Sequence, residues 1–178
     1  MIPYSKQSIE DSDIKAVTDV LSSPWLTQGP KVPDFEINLK KALGVNHAVT
    51  CSSGTAALQL AYSALGVNSN SLGIVPAVTF AATANAYCNL GSKVIFCDVN
   101  PNDGIIDLNS LEVLLKDLRS SNKFNKRVIS PVSLAGKTAP LAEVFDLAQK
   151  YEFNIRAKLQ KDKSCSWHCK RYKISFTR

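Results

Sequence analysis

Apolar residues in the first 45 positions recur at helical spacing and predict two amphipathic helices. The first should start near Ser8, where the sequence SIED resembles a capping box, and end before Pro24. The second should end at Gly44. The two apolar stripes are Ile14, Val17, Val20 and Leu21, and Phe35, Leu39, Ala42 and Leu43. The intervening Gly29-Pro30 pair predicts a loop.

From residue 47 onward the pattern alternates between short apolar runs and helical segments. The runs at 47–51, 74–75, 93–99 and 128–132 predict strands, and 56–65, 79–89, 108–118 and 140–151 predict helices. Asp107 or Asn109 is suited to cap the third of these helices. A further strand should start at Phe153. This alternation predicts an α/β fold with a largely parallel sheet and flanking helices.

The pattern ends near residue 155, which divides the chain into two predicted parts. Residues 1–154 hold 13 Lys/Arg and 14 Asp/Glu, a charge of −1, whereas residues 155–178 hold 8 and 1, a charge of +7. The net charge of +6 therefore comes from a basic tail of foreign composition, which we expect to be disordered or the product of a shifted reading frame. A genuine short paralogue with its own tail is the alternative. The main body shows no electrostatic preference for nucleic acid.

Other bulk features indicate a soluble, cytoplasmic protein. No apolar run approaches the roughly 18–20 residues that a membrane span needs, and the N-terminus lacks the apolar segment of a signal peptide. Cys51, Cys88 and Cys97 lie in apolar segments and are expected to be buried free thiols.

The basic tail contains a possible half metal site at Cys165, His168 and Cys169. These ligands are cramped and no second Cys/His pair accompanies them, so metal binding is not expected. The charge of the tail would allow weak, salt-sensitive contact with RNA or an anionic membrane, but the tail offers no organised stacking surface.

The strongest local motif is the turn Ser52-Ser53-Gly54-Thr55, which follows a predicted strand and opens a helix. A helix N-terminus offers unpaired N–H groups and the positive end of the helix dipole, so it suits a phosphate. Gly54 would let the backbone approach such a ligand, and the hydroxyls add donors. The alternative is that Ser or Thr simply caps the helix and no ligand binds.

Phe80 precedes the next predicted helix and should lie near the carboxyl edge of the sheet, where α/β folds bind ligands. An aromatic ring there could stack on a flat cofactor. Read alone, the residue is more simply interpreted as a core phenylalanine.

Six segments in one order resemble the DegT/DnrJ/StrS family of sugar aminotransferases. They are residues 2–5 (IPYS), 26–30 (LTQGP), 52–58 (SSGTAAL), 76–85 (PAVTFAATAN), 94–99 (VIFCDV) and 131–136 (PVSLAG). The resemblance covers residues 2–154. It implies the N-terminal portion of the large domain of a fold-type I transferase dependent on pyridoxal 5'-phosphate (PLP). The closest branch is the one that makes UDP-4-amino-4,6-dideoxy-N-acetyl-altrosamine for pseudaminic acid.

The resemblance also implies roles for individual positions. Gly54 and Thr55 would hold the PLP phosphate with Ser53 nearby, and Phe80 would stack on the pyridine ring. The side that faces the nucleotide sugar would be lined by Tyr4, Trp25, Leu26 and Thr27. The family usually takes its amino group from glutamate, transfers it to a nucleotide-linked 4-keto-6-deoxy sugar and works as a homodimer. One departure is Ser133-Leu134, where relatives often carry His or Asp before an aromatic residue.

Two further family motifs do not occur among the 178 residues. One is the acidic E-D-A-x-H motif, whose aspartate pairs with the pyridine nitrogen, and the other supplies the Schiff-base lysine. The resemblance therefore implies PLP as the family's cofactor, but no catalytic residue in this chain, which is expected to be inactive alone. The alternative function is a non-catalytic protein that binds an anion or a partner through the phosphate turn and the basic tail.

Overall fold

A computed structural model describes residues 6–121, 123–151, 165–168 and 173–176. The helices are α1 (Asp11–Leu21), α2 (Lys31–Leu43), α3 (Gly54–Ala64), α4 (Ala82–Cys88), α5 (Leu108–Arg119) and α6 (Leu141–Lys150). The strands are β1 (Ser71–Pro76), β2 (Lys93–Cys97), β3 (Lys126–Ile129), β4 (Cys165–His168) and β5 (Lys173–Phe176). None of the described helices is both long enough and apolar enough to cross a membrane.

Strands β1, β2 and β3 form a parallel sheet in the order β2-β1-β3. The central strand β1 is buried at all six positions, as expected for a parallel strand covered on both faces. The chain reaches β2 through α4 and then returns through α5 to the other side of β1. The connection therefore changes direction at β1, which makes the β1/β3 boundary a topological switch point.

Helices cover both faces of this sheet. Successive residues of β1 point to opposite faces, so Ile74 packs in one core cluster and Val75 in the other. The Ile74 cluster includes residues of α5 and α6, such as Leu111 and Val144. The Val75 cluster includes Tyr62 of α3 together with residues of α4. The result is the three-layer α/β arrangement that the alternating sequence pattern predicts.

A buried polar cluster joins α3 and α4 to the sheet. The rings of Tyr62 and Tyr87 stack with centroids 3.9 Å apart and an interplanar angle of 19°. Their hydroxyls form hydrogen bonds of 2.9 and 2.7 Å with Oγ of Ser130, which directly follows β3. Burial raises the pKa of Tyr62 to about 12 and that of Tyr87 well above its usual value. Both phenols therefore remain neutral hydrogen-bonding groups at physiological pH.

Because Gly73 of β1 has no side chain, the Tyr87 ring can approach the backbone of the strand closely. A Cβ added to Gly73 would lie 2.7 Å from ring carbons of Tyr87. The Tyr87 ring thus lies directly on the backbone of the central strand, in the space that any other side chain would occupy.

The first two helices are confirmed, with a different start for the first. Helix α1 begins at Asp11 rather than near Ser8, because Asp13 Oδ2 accepts a hydrogen bond of 2.9 Å from the Glu10 backbone N–H. Helix α2 ends at Leu43 and is followed by the C-cap residue Gly44, which adopts a left-handed φ of 60°. Neither helix has a buried residue in the described chain.

Several boundaries predicted from the sequence are wrong. Residues 47–51, predicted as a strand, form none, since their backbone groups pair with no strand in the described part of the chain. Helix α4 begins at Ala82 rather than Thr79, and β3 ends at Ile129 before Pro131, which has no N–H to offer a ladder. Helix α5 is capped by Asp107, whose Oδ1 accepts from the Ser110 N–H at 2.7 Å.

The prediction of buried thiols holds only for Cys97. Cys51 and Cys88 are exposed, whereas Cys97 is buried and burial raises its pKa to about 11. In the tail, β4 and β5 pair antiparallel. The strand predicted at Phe153 lies outside the described residues, as does Cys169 of the possible half metal site.

We predict that Gly73→Ala lowers the free energy of unfolding by about 1–3 kcal/mol, since the added methyl group overpacks the Tyr87 ring. Urea denaturation followed by circular dichroism measures this loss. Gly54→Ala is the matched control, because a Cβ at Gly54 meets no atom within 4 Å. Equal stability of the two variants would contradict the close approach of Tyr87 to β1.

Candidate functional site

The direction of α3 brings its N-terminus to the carboxyl edge of the sheet. Lys126 Nζ, at the start of β3, donates a hydrogen bond to the carbonyl oxygen of Leu65, at the end of α3. Helix α3 therefore runs antiparallel to the strands. Gly54, at its opposite end, lies toward the edge at which β1 and β3 terminate. Ligands in open α/β sheets bind at this edge.

The turn that opens α3 satisfies part of its own hydrogen-bonding requirement. Ser53 is the N-cap residue, and its Oγ accepts a hydrogen bond of 3.2 Å from the Ala56 N–H. The Ala57 N–H donates to the Ser53 carbonyl at 3.0 Å. The backbone N–H groups of Gly54 and Thr55 have no partner among the described residues. The turn is thus capped and still offers two donors to an external acceptor.

Gly54 has no internal requirement to be glycine. Its φ is not left-handed, and a Cβ built there would meet no atom of the described residues within 4 Å. Two unpaired N–H groups beside an open backbone, at the positive end of an 11-residue helix, suit the phosphate of a cofactor. The turn therefore suits a phosphate group.

Phe80 is not a core residue, contrary to the simpler interpretation of the sequence. It is 78% exposed and lies between the end of β1 and the start of α4. Its carbonyl oxygen accepts from the Thr83 N–H at 2.9 Å, and Thr79 Oγ1 donates to Thr83 Oγ1 at 3.0 Å. These bonds fix the backbone while the ring remains free to stack on a ligand.

The loop after β3 lies on the β3 side of the β1/β3 switch point. Ser133 Oγ accepts from the Ala139 N–H at 3.1 Å. Leu134 and Lys137 exchange two backbone hydrogen bonds around Ala135-Gly136, both of which have positive φ. This tight turn rigidifies the loop that follows the buried Ser130.

The remaining predicted site residues, those expected to face the nucleotide sugar, come from the first 27 positions of the chain. The structure describes three of these four residues. Trp25 and Leu26 are exposed in the loop between α1 and α2, and Thr27 lies in the same loop. The Trp25 N–H donates to Ser23 Oγ at 3.2 Å, which is a local contact. Tyr4 lies outside the described residues.

Two residues near the phosphate turn were missed by sequence reasoning. Glu36 of α2 accepts two hydrogen bonds from Thr50, three residues before Ser53. The pair is separated by 14 positions and follows no local motif, so no sequence signal pointed to it. Among the described residues, no cluster of His, Cys, Asp and Glu is suited to hold a metal ion.

Comparison with known proteins gives a family and a set of related structures. The model of the DegT/DnrJ/EryC1/StrS aminotransferase family matches residues 7–157. A UDP-4-amino-4,6-dideoxy-N-acetyl-beta-L-altrosamine transaminase of Campylobacter jejuni is 44% identical over 87% of this chain and 40% of its own length. A UDP-4-amino-4-deoxy-L-arabinose–oxoglutarate aminotransferase of Shewanella sediminis is 32% identical over 86% of this chain and 38% of its own length.

Solved structures agree with this assignment. Helicobacter pylori PseC, an aminotransferase involved in the biosynthesis of pseudoaminic acid, has a TM-score of 0.74 and 32% identity over 90% of this chain and 44% of its own. The PMP-form of the sugar aminotransferase Spr1654 of Streptococcus pneumoniae also has a TM-score of 0.74 and 32% identity, over 84% of this chain and 36% of its own. The predicted fold, the N-terminal portion of the large domain of a PLP-dependent transferase, is confirmed.

This chain matches only part of the length of each of these relatives. The chain spans about 40% of the length of the curated relatives that it matches. PLP is the cofactor of this family, and the turn at Ser53–Thr55 lies within the matched region.

We predict that Ser53→Ala lowers the free energy of unfolding by about 1 kcal/mol, because the Ala56 N–H loses its capping acceptor. Urea denaturation provides the measurement. Ser53→Asp is the matched control, since aspartate caps as well as serine does, and it should retain wild-type stability. A stable Ser53→Ala variant would show that the cap contributes nothing to α3.

Proposed function

The chain belongs to the DegT/DnrJ/EryC1/StrS aminotransferase family, and we propose that its phosphate turn holds the phosphate of PLP in a sugar aminotransferase. Gly54 and Thr55 donate backbone N–H groups to the phosphate, Ser53 orders the turn, and Phe80 stacks on the pyridine ring. The bound cofactor supplies the aldehyde and the electron-withdrawing ring through which an amino group is moved between substrates.

One observation carries this proposal: the Gly54 and Thr55 N–H groups have no partner among the described residues, although Ser53 already caps the helix. Unpaired donors at a helix N-terminus bind anions through directed hydrogen bonds and through the helix dipole. The exposed ring of Phe80 after β1 provides an apolar surface toward the same edge of the sheet. A phosphate and a flat aromatic ring are the two parts of PLP.

The proposed acceptor is a nucleotide-linked 4-keto-6-deoxy sugar, with glutamate as the typical amino donor. The name of the Campylobacter jejuni relative supports an altrosamine sugar, and the Helicobacter pylori structure, an aminotransferase involved in the biosynthesis of pseudoaminic acid, supports a role in making that acid. Tyr4, Trp25, Leu26 and Thr27 are proposed to face this substrate. The exposed indole of Trp25 and the side chain of Leu26 offer apolar surface to a sugar or base. The cytoplasm is the proposed location.

Amino transfer needs more than a phosphate site. The family uses a lysine that carries the cofactor and an aspartate at the pyridine nitrogen, and their motifs do not occur in residues 1–178. We therefore propose that this chain, by itself, binds the cofactor without turnover. Residues 1–154 act as the partial large domain, and residues 155–178 are a basic tail.

We predict that the purified chain binds both PLP and inorganic phosphate, measured by equilibrium dialysis. Ser53→Asp should weaken both by at least about ten-fold, because a carboxylate at the helix N-terminus replaces and repels the anion while retaining the cap. Asn109→Asp is the matched control: it adds the same charge at the start of α5 and should leave both affinities unchanged.

Borohydride reduction of the chain with bound PLP distinguishes a catalyst, which carries PLP on a lysine, from a protein that only binds PLP. If borohydride fixes PLP to one lysine, the chain contains a substitute for the family lysine, and the proposal of binding without turnover is wrong. If PLP and phosphate bind reversibly and nothing is fixed, the chain is a binder. If neither ligand binds, the phosphate turn has no role in holding the cofactor.

We also propose that the protein forms a homodimer. Apolar side chains of α1 and α2 are more than half exposed; they are Ile14, Val17, Leu21, Val32 and Phe35. Neither helix has a buried residue in the described chain. Apolar stripes that no described residue covers, on two helices, support an interaction surface there.

We predict that sedimentation velocity detects a dimer and that Val17→Asp shifts it toward the 19.4 kDa monomer, because burying an unpaired carboxylate disfavours association. Val113→Asp is the matched control, since Val113 is equally exposed but lies on α5. A wild-type chain that remains monomeric across the micromolar range would contradict the proposal.

A further inference from the structure

Glu36 joins helix α2 to the segment that enters the phosphate turn. Its Oε1 accepts two hydrogen bonds from Thr50, one of 2.8 Å from the backbone N–H and one of 3.0 Å from Oγ1. Both residues are partly buried. A single carboxylate oxygen thus fixes both the backbone and the side chain of Thr50. We call this pair the Glu36–Thr50 clamp.

The clamp acts on a segment that has little other support. Residues 46–53 belong to no helix or strand, so the sheet does not hold them. In the part of the chain that the structure describes, no other residue distant in sequence bonds to this segment. Thr50 is followed within three positions by Ser53, the N-cap of α3. The orientation of the turn therefore depends on where Thr50 is held.

We propose that Glu36 is a positioning residue for the phosphate turn: through Thr50 it orders the backbone that presents the Gly54 and Thr55 N–H groups to an anion. Ordering a site before the ligand arrives strengthens binding, because less conformational freedom is lost on binding. Glu36 itself does not touch the ligand. This inference rests on the proposed function of the turn.

The charge of Glu36 makes the inference sharply testable. A carboxylate close to an anion site opposes anion binding by repulsion, so removing it without other effect would strengthen phosphate binding. If Glu36 acts through the clamp, removing it has the opposite effect. Positioning and plain electrostatics thus predict changes of opposite sign for the same substitution.

The experiment measures the affinity of the 178-residue chain for inorganic phosphate and for PLP in four variants. Glu36→Ala should weaken binding of both by about ten-fold, the size expected for losing charge-assisted hydrogen bonds. Thr50→Val should weaken it less, since the backbone N–H still reaches Glu36. Glu36→Gln should bind at least as tightly as the wild type, because the amide oxygen can accept the same bonds without the charge. Glu112→Ala, which removes a glutamate bonded to Lys150 and Tyr151 away from the turn, should change nothing.

Amide hydrogen exchange in the ligand-free chain gives a second readout that does not depend on binding. Glu36→Ala should accelerate exchange at the capped Ala56 and Ala57 N–H groups, and Glu36→Gln should not. Unchanged exchange at these groups, or phosphate binding that is equal or tighter in Glu36→Ala, would overturn the inference. If the wild-type chain binds neither ligand, the proposed function fails, and the exchange rates alone decide whether Glu36 orders the turn.

Discussion

The packing of the Tyr87 ring on Gly73 is the contact on which the rest of the structure depends. Strand β1 is buried on both faces, so whatever covers it must fit closely. With no side chain at Gly73, the Tyr87 ring lies on the strand backbone, and Tyr62 stacks on that ring at 3.9 Å. Helices α3 and α4 are thereby held at one distance from the sheet.

The fold was largely predictable from the sequence because its core elements carry local signals. The amphipathic α5 and α6, the stop at Gly44 and the central residues 74–75 of β1 follow from periodicity and turn chemistry. The full extent of β1, Ser71–Pro76, was not predicted, because its first residues carry no apolar run. The strand predicted at residues 47–51 is wrong for a reason that is not local. Apolar alternation indicates that a segment can become extended, but a strand exists only where a second strand supplies the ladder, and local sequence does not contain that partner.

The residues of the candidate site show the same difference between local signals, which the sequence contains, and long-range contacts, which it does not. The turn at Ser53–Thr55 was recognised from the residue types that helix N-termini require. Phe80 illustrates the opposite case, since hydrophobicity alone favours burial, whereas its place between the end of β1 and α4 leaves it exposed. Glu36 could not be found at all, because its partner Thr50 is brought to it by the path of the chain after Gly44.

The two interpretations of the phosphate turn, plain capping and anion binding, are compatible once hydrogen bonds are assigned one by one. A helix start has four N–H groups without helical partners, and the side chain of Ser53 accepts from only one of them. Capping leaves the Gly54 and Thr55 groups available and also fixes their direction. A stronger cap therefore improves an anion site as long as the capping side chain carries no charge. Serine meets both conditions, whereas aspartate, an equally good cap, meets only the first.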